Sequence, residues 1–488
     1  ATSASIHFAA NASPNPGAWV DNTIVLTGAP SPYHLVTAFP GTVGTLGVGS
    51  LDLGYNQTSS TFTENYLRVS GTLSDTTLMA DPLNRGGTGP VSVWYAPANI
   101  TVPSGVTLTV TDDAVLKFEL ATILFVDGTL SVTNAGGGKA IFTSVRDDSV
   151  GSDMGGATPA AIGNWERIDA RTNATISIDN AIIRYMNYGI YQNNTNATAF
   201  SVSNTTVTEF RNAGLRLYPN GTATYTLTNN IISNGNSACC GGPLGGLYLQ
   251  AHTGDAVTLN IDGLIIDNIT GNSNDDRGIY LDINDTATLA GTINNVTISN
   301  MVTSSAIQLD ARTAGAVNPT FSNITINGTI GLYGMYLLGD NTTIHTPTLT
   351  GININAGIYN LLLNGVGGSY SNMNLAGATS ASIHFAANAS PNPGAWVDNT
   401  IVLTGAPSPY HLVTAFPGTV GTLGVGSLDL GYNQTSSTFT ENYLRVSGTL
   451  SDTTLMADPL NRGGTGPVSV WYAPANITVP SGVTLTVT

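Results

Sequence analysis

The chain has 488 residues, of which 41% are hydrophobic and only 9% charged, and its 14 Lys+Arg against 30 Asp+Glu give a formal net charge of −16. That hydrophobic content excludes a disordered chain. The acidic balance disfavours nucleic acid and anionic membranes and permits divalent cations between acidic loops, and no apolar run approaches the roughly 18 residues of a transmembrane helix. Gly, Asn, Thr and Ser fill the gap left by the charges, a mixture suited to many short strands joined by tight turns.

The segment Ala1–Thr111 recurs letter for letter as Ala378–Thr488, an offset of 377 residues. No functional site needs every loop residue duplicated, so the chain reads as a window on an array of identical units. Within one unit, Asn99 to Val110 alternates strictly after a turn, and Ala114–Phe118, Ile123–Val132, Lys139–Ser144 and Gly163–Ile168 follow as further short apolar runs. Such alternation predicts strands, and no stretch of helical period with caps is present.

From Thr175 to Ile358 a quartet returns seven times: Ser177–Asn180, Ser201–Asn204, Thr226–Asn229, Asn260–Gly263, Thr292–Asn295, Thr320–Asn323 and Thr348–Gly351. A short β-branched run follows each quartet. The second half of each period opens on a small residue, as in Gly189-Ile190-Tyr191, Gly246-Leu247-Tyr248 and Gly278-Ile279-Tyr280. Two or three strands at a variable step of about 25–30 residues predict coils that bury their apolar side only by stacking. The recurring Asn180, Asn204, Asn229, Asn295 and Asn323 then form an expected ladder at one turn, facing inward, with side-chain amides bonding neighbouring coils. Gly263 and Gly351 suit the same turn through their freedom at positive φ. Tyr191, Tyr248, Tyr280, Tyr336 and Tyr359 recur on one strand, where they are expected to stack across coils or to present a sugar-binding stripe.

The two cysteines, Cys239 and Cys240, are adjacent in the longest insertion and are a disulfide candidate. Their spacing lacks the partners of a zinc site. Asp275 and Asp276, in Asn274-Asp275-Asp276-Arg277 with Asp282 and Asp285 near, form the best acidic loop. With no Lys or His placed to complete an acid–base pair, the loop reads as a solvated turn or a structural calcium site rather than a catalytic one. Asp147, Asp148 and Asp153 read the same way. Asn11, Asn56, Asn99, Asn173, Asn196, Asn220, Asn268, Asn284, Asn327 and Asn341 are candidate N-glycosylation acceptors. Asn204, Asn295 and Asn323 also match the acceptor pattern, but the inward ladder excludes glycans there. Low Lys content and the Thr/Asn-rich surface point to an extracellular or cell-surface protein.

The run from Asn99 through Gly105-Val106-Thr107-Leu108-Thr109-Val110, Lys117-Phe118, Gly128-Thr129-Leu130, Phe142-Thr143-Ser144 and Trp165 resembles the opening coils of right-handed parallel β-helix, pectate-lyase-like repeat domains of secreted prokaryotic surface proteins. The resemblance covers roughly Val69 to Gly357. Asp112-Asp113 departs from it, standing where such domains tend to have Pro-Gly, which puts the geometry of that turn in question. The resemblance implies an all-β, right-handed parallel β-helix in tandem and an exported location, and it carries over no catalytic residues or cofactor. On that reading residues 1–68 end a preceding helix, 69–442 form one full helix and 443–488 begin the next. The expected function is structural: identical units associated end to end in an extracellular filament, stalk or sheath. A polysaccharide-binding adhesin or a polysaccharide-degrading enzyme on the same fold is the alternative.

Overall fold

A computed structural model of the chain describes an almost continuous run from 93 to 379, broken at 134–135, 152–157, 197–198, 238–243, 272–275, 303, 312–313, 340–344, 365 and 367, with shorter described stretches on either side. All regular structure among the described residues is β-strand, so no described helix could cross a membrane. The chain divides into two compact units, one of residues 1–219 with 226–236, the other of 220–225 with 237–488. Each is built as a parallel β-helix.

A coil has three strands, a, b and c. In the first unit one coil runs Val115–Phe118 (a), Ile123–Val126 (b) and Thr129–Val132 (c). Each strand pairs in parallel with its counterpart in the next coil, Ala140–Ser144, Arg167–Ala170 and Thr175–Asp179. In strands such as Ile123–Val126 and Thr129–Val132 alternate residues are buried, and equal register stacks the inward ones into apolar columns. Leu108, Leu130, Ile176 and Phe200 form one such column on the c strands. Ile100, Leu124, Ile168, Ile190 and Leu215 form another on the b strands. These side chains are at most 3% exposed. Each fully buried aliphatic chain contributes about 1.5–3 kcal/mol, which no single coil could collect alone.

The second unit repeats the plan. Its b strands include Leu244–Ala251, Asp276–Ile283, Ile307–Ala311, Tyr333–Gly339 and Tyr359–Asn364, and Leu249, Leu281, Leu309, Leu337 and Leu363 stack inward. Beside them a column of small residues is forced by backbone approach. A Cβ on Gly278 would sit 2.5 Å from the Ala306 carbonyl oxygen, and one on Gly334 2.6 Å from that of Asn360.

The corner between c and a is a single residue at positive φ: Asn180 at 62°, Asn204 at 51° and Asn229 at 52° in the first unit, Gly263 at 78°, Asn295 at 54°, Asn323 at 52° and Gly351 at 65° in the second. Asn and Gly are the residues that tolerate this conformation. Between Thr107–Val110 and Val115–Phe118 the corner is instead a four-residue turn, closed by the Ala114 N–H on the Thr111 carbonyl oxygen, in which Asp113 is the left-handed residue at 56°. A second corner, after the a strand, repeats the device with Asn234 in the first unit and Asn268, Asn300 and Gly328 in the second.

The boundary at which the sequence begins to repeat lies inside the second unit. All three strand types pair across it: Tyr359–Asn364 with Ala381–Phe385, Ser369–Ser371 with Trp396–Val397, and Asn374–Ala376 with Asn399–Ile401.

Candidate functional site

Three of the corner asparagines donate to the preceding coil at the residue just before its corner rather than at the corner residue itself. Asn204 Nδ2 donates to Asp179 Oδ1 at 2.7 Å, Asn295 to Asp262 Oδ1 at 2.6 Å, and Asn323 to Asn294 Oδ1 at 2.9 Å. Each acceptor also receives a bond from the residue before the next corner: Ser203, Asn294 and Ser322 respectively. The second corner copies the arrangement, with Asn300 and Ser299 on Asp267 and Asn234 and Ser233 on Thr208. Asn229 reaches Asn204 Oδ1 at 3.5 Å, and Asn180 donates to the Gly138 carbonyl oxygen at 2.7 Å.

The expected inward orientation is corrected. Asn180 is buried, but Asn204, Asn229, Asn295 and Asn323 are exposed. A left-handed corner residue turns its side chain away from the apolar interior, so burial does not exclude glycans at Asn204, Asn295 or Asn323. Among the ten acceptors named from sequence, Asn99, Asn173, Asn196, Asn220, Asn268 and Asn327 are exposed and Asn284 half-buried. Asn11, Asn341 and the side chain of Asn56 lie outside the described residues.

The outward face of the b strands carries the densest chemistry. In the first unit a depression of about 350 Å³ is lined by Asp127, Arg167, Asp169, Arg171, Tyr191 and Asn193, among others. Phe125, Asp169, Tyr191 and Arg216 follow one another in register. Arg167 meets Asp169 at 3.2 Å, and its guanidinium lies 4.6 Å from the centre of the Tyr191 ring, with that of Arg216 at 5.1 Å. Arg171 lies 3.5 Å over Phe125 and reaches Asp127 at 3.6 Å. Burial raises the Asp169 carboxyl above the ordinary aspartate range despite the opposing pull of Arg167. Guanidinium donors, carboxylate acceptors and aromatic edges on one surface suit a polyhydroxylated or carboxylated ligand.

In the second unit the tyrosines do not make one unbroken stripe. Tyr248 and Tyr280 are in register and stacked at 5.1 Å, but Gln308 separates Tyr280 from Tyr336, and Tyr359 aligns with Tyr333. Asp282 accepts from Tyr248, Gln250 and Asn284. Burial, with the neighbouring Asp310, raises its carboxyl against those bonds.

Asp147 is a structural clasp rather than a solvated acid. It is 2% exposed, bonded by Thr143, Ser149 and Arg184, with Arg184 at 2.6 Å. Burial alone would raise its carboxyl, but these bonds and the guanidinium hold it below the ordinary range. Lys117, fully buried, donates to the Asp147 carbonyl oxygen at 2.8 Å. Asp148 is exposed, and Asp153 lies outside the described residues. Asp276 is 1% exposed on its b strand, whereas Asp275, Cys239 and Cys240 lie outside the described residues. Among the described residues no three His, Cys, Asp or Glu side chains come together as a metal-holding set. His252 lies 3.8 Å from Asp285, and His345 is buried.

Comparison with protein-family models, with curated proteins and with solved structures returned no match.

Proposed function

We propose that this chain is a segment of an extracellular filament, stalk or sheath in which identical β-helical repeats follow one another end to end, and that its role is structural rather than enzymatic. The observation that carries this reading is the letter-for-letter recurrence of Ala1–Thr111 at Ala378–Thr488, because a shaft needs equivalent joints and a recognition protein needs a distinct tip. Strand pairing across the expected junction at 68/69, Tyr66–Arg68 with Val93–Tyr95, supports it further. The resemblance to pectate-lyase-like repeats of prokaryotic surface proteins belongs to the same proposal, as does glycosylation at exposed acceptors such as Asn173 and Asn327. The net charge of −16 supports partners other than nucleic acid or membrane.

Electron cryo-microscopy of the native material tests this. The expected result is unbroken axial density with striations at about 4.8 Å and a longer period set by one 377-residue repeat. Isolated particles with no end-to-end continuity overturn it. A second reading, polysaccharide binding, is favoured by the depression around Arg167, Asp169 and Tyr191. Retention on acidic-polysaccharide columns that is lost in Arg167→Ala would support it.

A further inference from the structure

Asn-Gly pairs occur at Asn220, Asn234, Asn327 and Asn364, and the fold places them in unlike settings. The Gly221 N–H donates to Asp255 Oδ1 at 2.6 Å, which pins it. Asn234 donates its side-chain amide to Thr208 Oγ1 at 3.2 Å, and Gly235 is buried. Gly365, after Asn364, lies outside the described residues. Asn327 is different. It is exposed, as are both residues that follow it, Gly328 and Thr329, and its side chain makes no hydrogen bond among the described residues. The second corner explains this. Where Thr292–Met301 pairs with Thr320–Ile330, Ser299 stands opposite Asn327 and Met301 opposite Ile330, so Gly328 and Thr329 together face Asn300. A bulge of this kind leaves its extra residue unpaired and disrupts the ladder locally. In the coil before, Ser299 and Asn300 both bond to Asp267, a clasp that Gly328 has no side chain to repeat. Yet the corner needs glycine: φ is 73°, and a Cβ would sit 2.8 Å from Asn300 Oδ1. The same missing Cβ leaves the Gly328 nitrogen open to the side chain before it.

We propose that Asn327 is a self-modification site, at which the side-chain amide is converted to a carboxylate by its own backbone and water. The Gly328 backbone nitrogen attacks Asn327 Cγ. A C–N bond forms, the bond from Cγ to the side-chain nitrogen breaks, and that nitrogen leaves as ammonia with the proton given up by the Gly328 N–H. The five-membered imide then takes up one water. Opening at the side-chain carbonyl gives aspartate, and opening at the main-chain carbonyl gives isoaspartate. One water enters and one ammonia leaves, so no oxidant, reductant or enzyme is required. The reacting atoms belong to neighbouring residues, and the rate depends on how freely they can meet, which the bulge permits and the Asp255 bond at Gly221 does not. The new carboxylate is ionised at neutral pH. Isoaspartate also adds a methylene to the main chain inside the corner, which displaces Gly328–Ile330 against Asn300–Met301. Each repeat thereby carries a chemical record of its age at one exposed corner.

The test uses the 488-residue protein produced in a bacterial cytoplasm, where no glycan occupies the same nitrogen. The folded chain is aged in mildly alkaline buffer, and a second sample is aged in concentrated urea. Peptide mapping by mass spectrometry, with electron-transfer fragmentation to tell isoaspartate from aspartate, follows Asn220, Asn234 and Asn327 in the same molecules. In the folded chain Asn327 is expected to convert at least about tenfold faster than either of the others, because only its surroundings open without loss of a bond. Isoaspartate should be among its products, and in urea the rates at the three sites should converge. An Asn327 that stays intact in the folded chain overturns the proposal, as does conversion of Asn220 or Asn234 at the same rate. The same ranking in urea overturns it too, since local sequence rather than the corner would then set the rate.

Discussion

Replacing Asn323 separates two contributions that coincide at every corner. Its backbone sits at φ 52°, and its side chain donates one bond at 2.9 Å to Asn294 Oδ1. Because Ser322 also donates to that oxygen, at 2.8 Å, truncation leaves the acceptor satisfied, and only the net worth of one exposed bond is lost, about 0.5–1.5 kcal/mol. Alanine additionally meets the left-handed penalty of about 1–2 kcal/mol, whereas glycine does not. Asn323→Ala is therefore expected to cost about 2 kcal/mol, and Asn323→Gly about 1 kcal/mol. Stacked repeats do not unfold as one cooperative whole, so the readout is local: amide hydrogen exchange by mass spectrometry over 292–301, 320–330 and 348–355. Protection in the alanine variant should fall by about 30-fold, with the glycine variant near fivefold, at 1.4 kcal/mol per decade. If alanine leaves protection unchanged, neither contribution is real. If glycine costs as much as alanine, the left-handed corner is not what selects asparagine.

Three further outcomes follow from the packing. Leu281→Ala, in the inward leucine column of the second unit, should cost about 2–5 kcal/mol, read as lost exchange protection in the b strands on either side. Arg184→Ala leaves the buried Asp147 carboxylate without its guanidinium and should cost about 3 kcal/mol at neutral pH. Because the folded-state value of Asp147 is depressed, that stability is present above the ordinary aspartate value of 3.8 and lost as pH falls below it, so the variant and the wild type should converge in strong acid. Asp282 has the opposite sign. Its raised carboxyl contributes stability that is full below 3.8 and lost as pH rises through the folded value. Asp282→Asn should therefore raise the amide-exchange protection of Asp276–Ile283, corrected for intrinsic exchange, at pH 7 and leave it nearly unchanged at pH 3; lower protection at pH 7 would show that the accepted bonds outweigh the repulsion.

Strand positions and corners were legible because each depends on a local signal. Alternation at Thr107–Val110 or Thr129–Val132 marks which side chains face in, and Asn or Gly closing each quartet marks the left-handed residue. The orientation of those asparagines was misread, because the corner reverses the alternation on which the inward expectation rested. The acceptors Asp179, Asp262 and Asn294 were visible as the third letter of their quartets, but nothing local assigns them to the following coil. The Arg167–Asp169–Tyr191 surface and the Asp147–Arg184 clasp were not legible at all. Their members are separated by loops of irregular length, and only the coil register, itself set by the inward columns, places them side by side. The same limit explains the tyrosines: recurrence on one strand did not say that Gln308 would stand between Tyr280 and Tyr336.

The pairing of Tyr66–Arg68, the last strand before the expected junction at 68/69, onto Val93–Tyr95 beyond it has a consequence for size. A coil senses only the coil below and the coil above, and a seam offers the neighbours it would find in the interior. No contact at the boundary therefore counts how many repeats have gone before. An assembly built on such seams has no ruler of its own, and its length must be written elsewhere, in the gene or in a terminator that refuses the next coil.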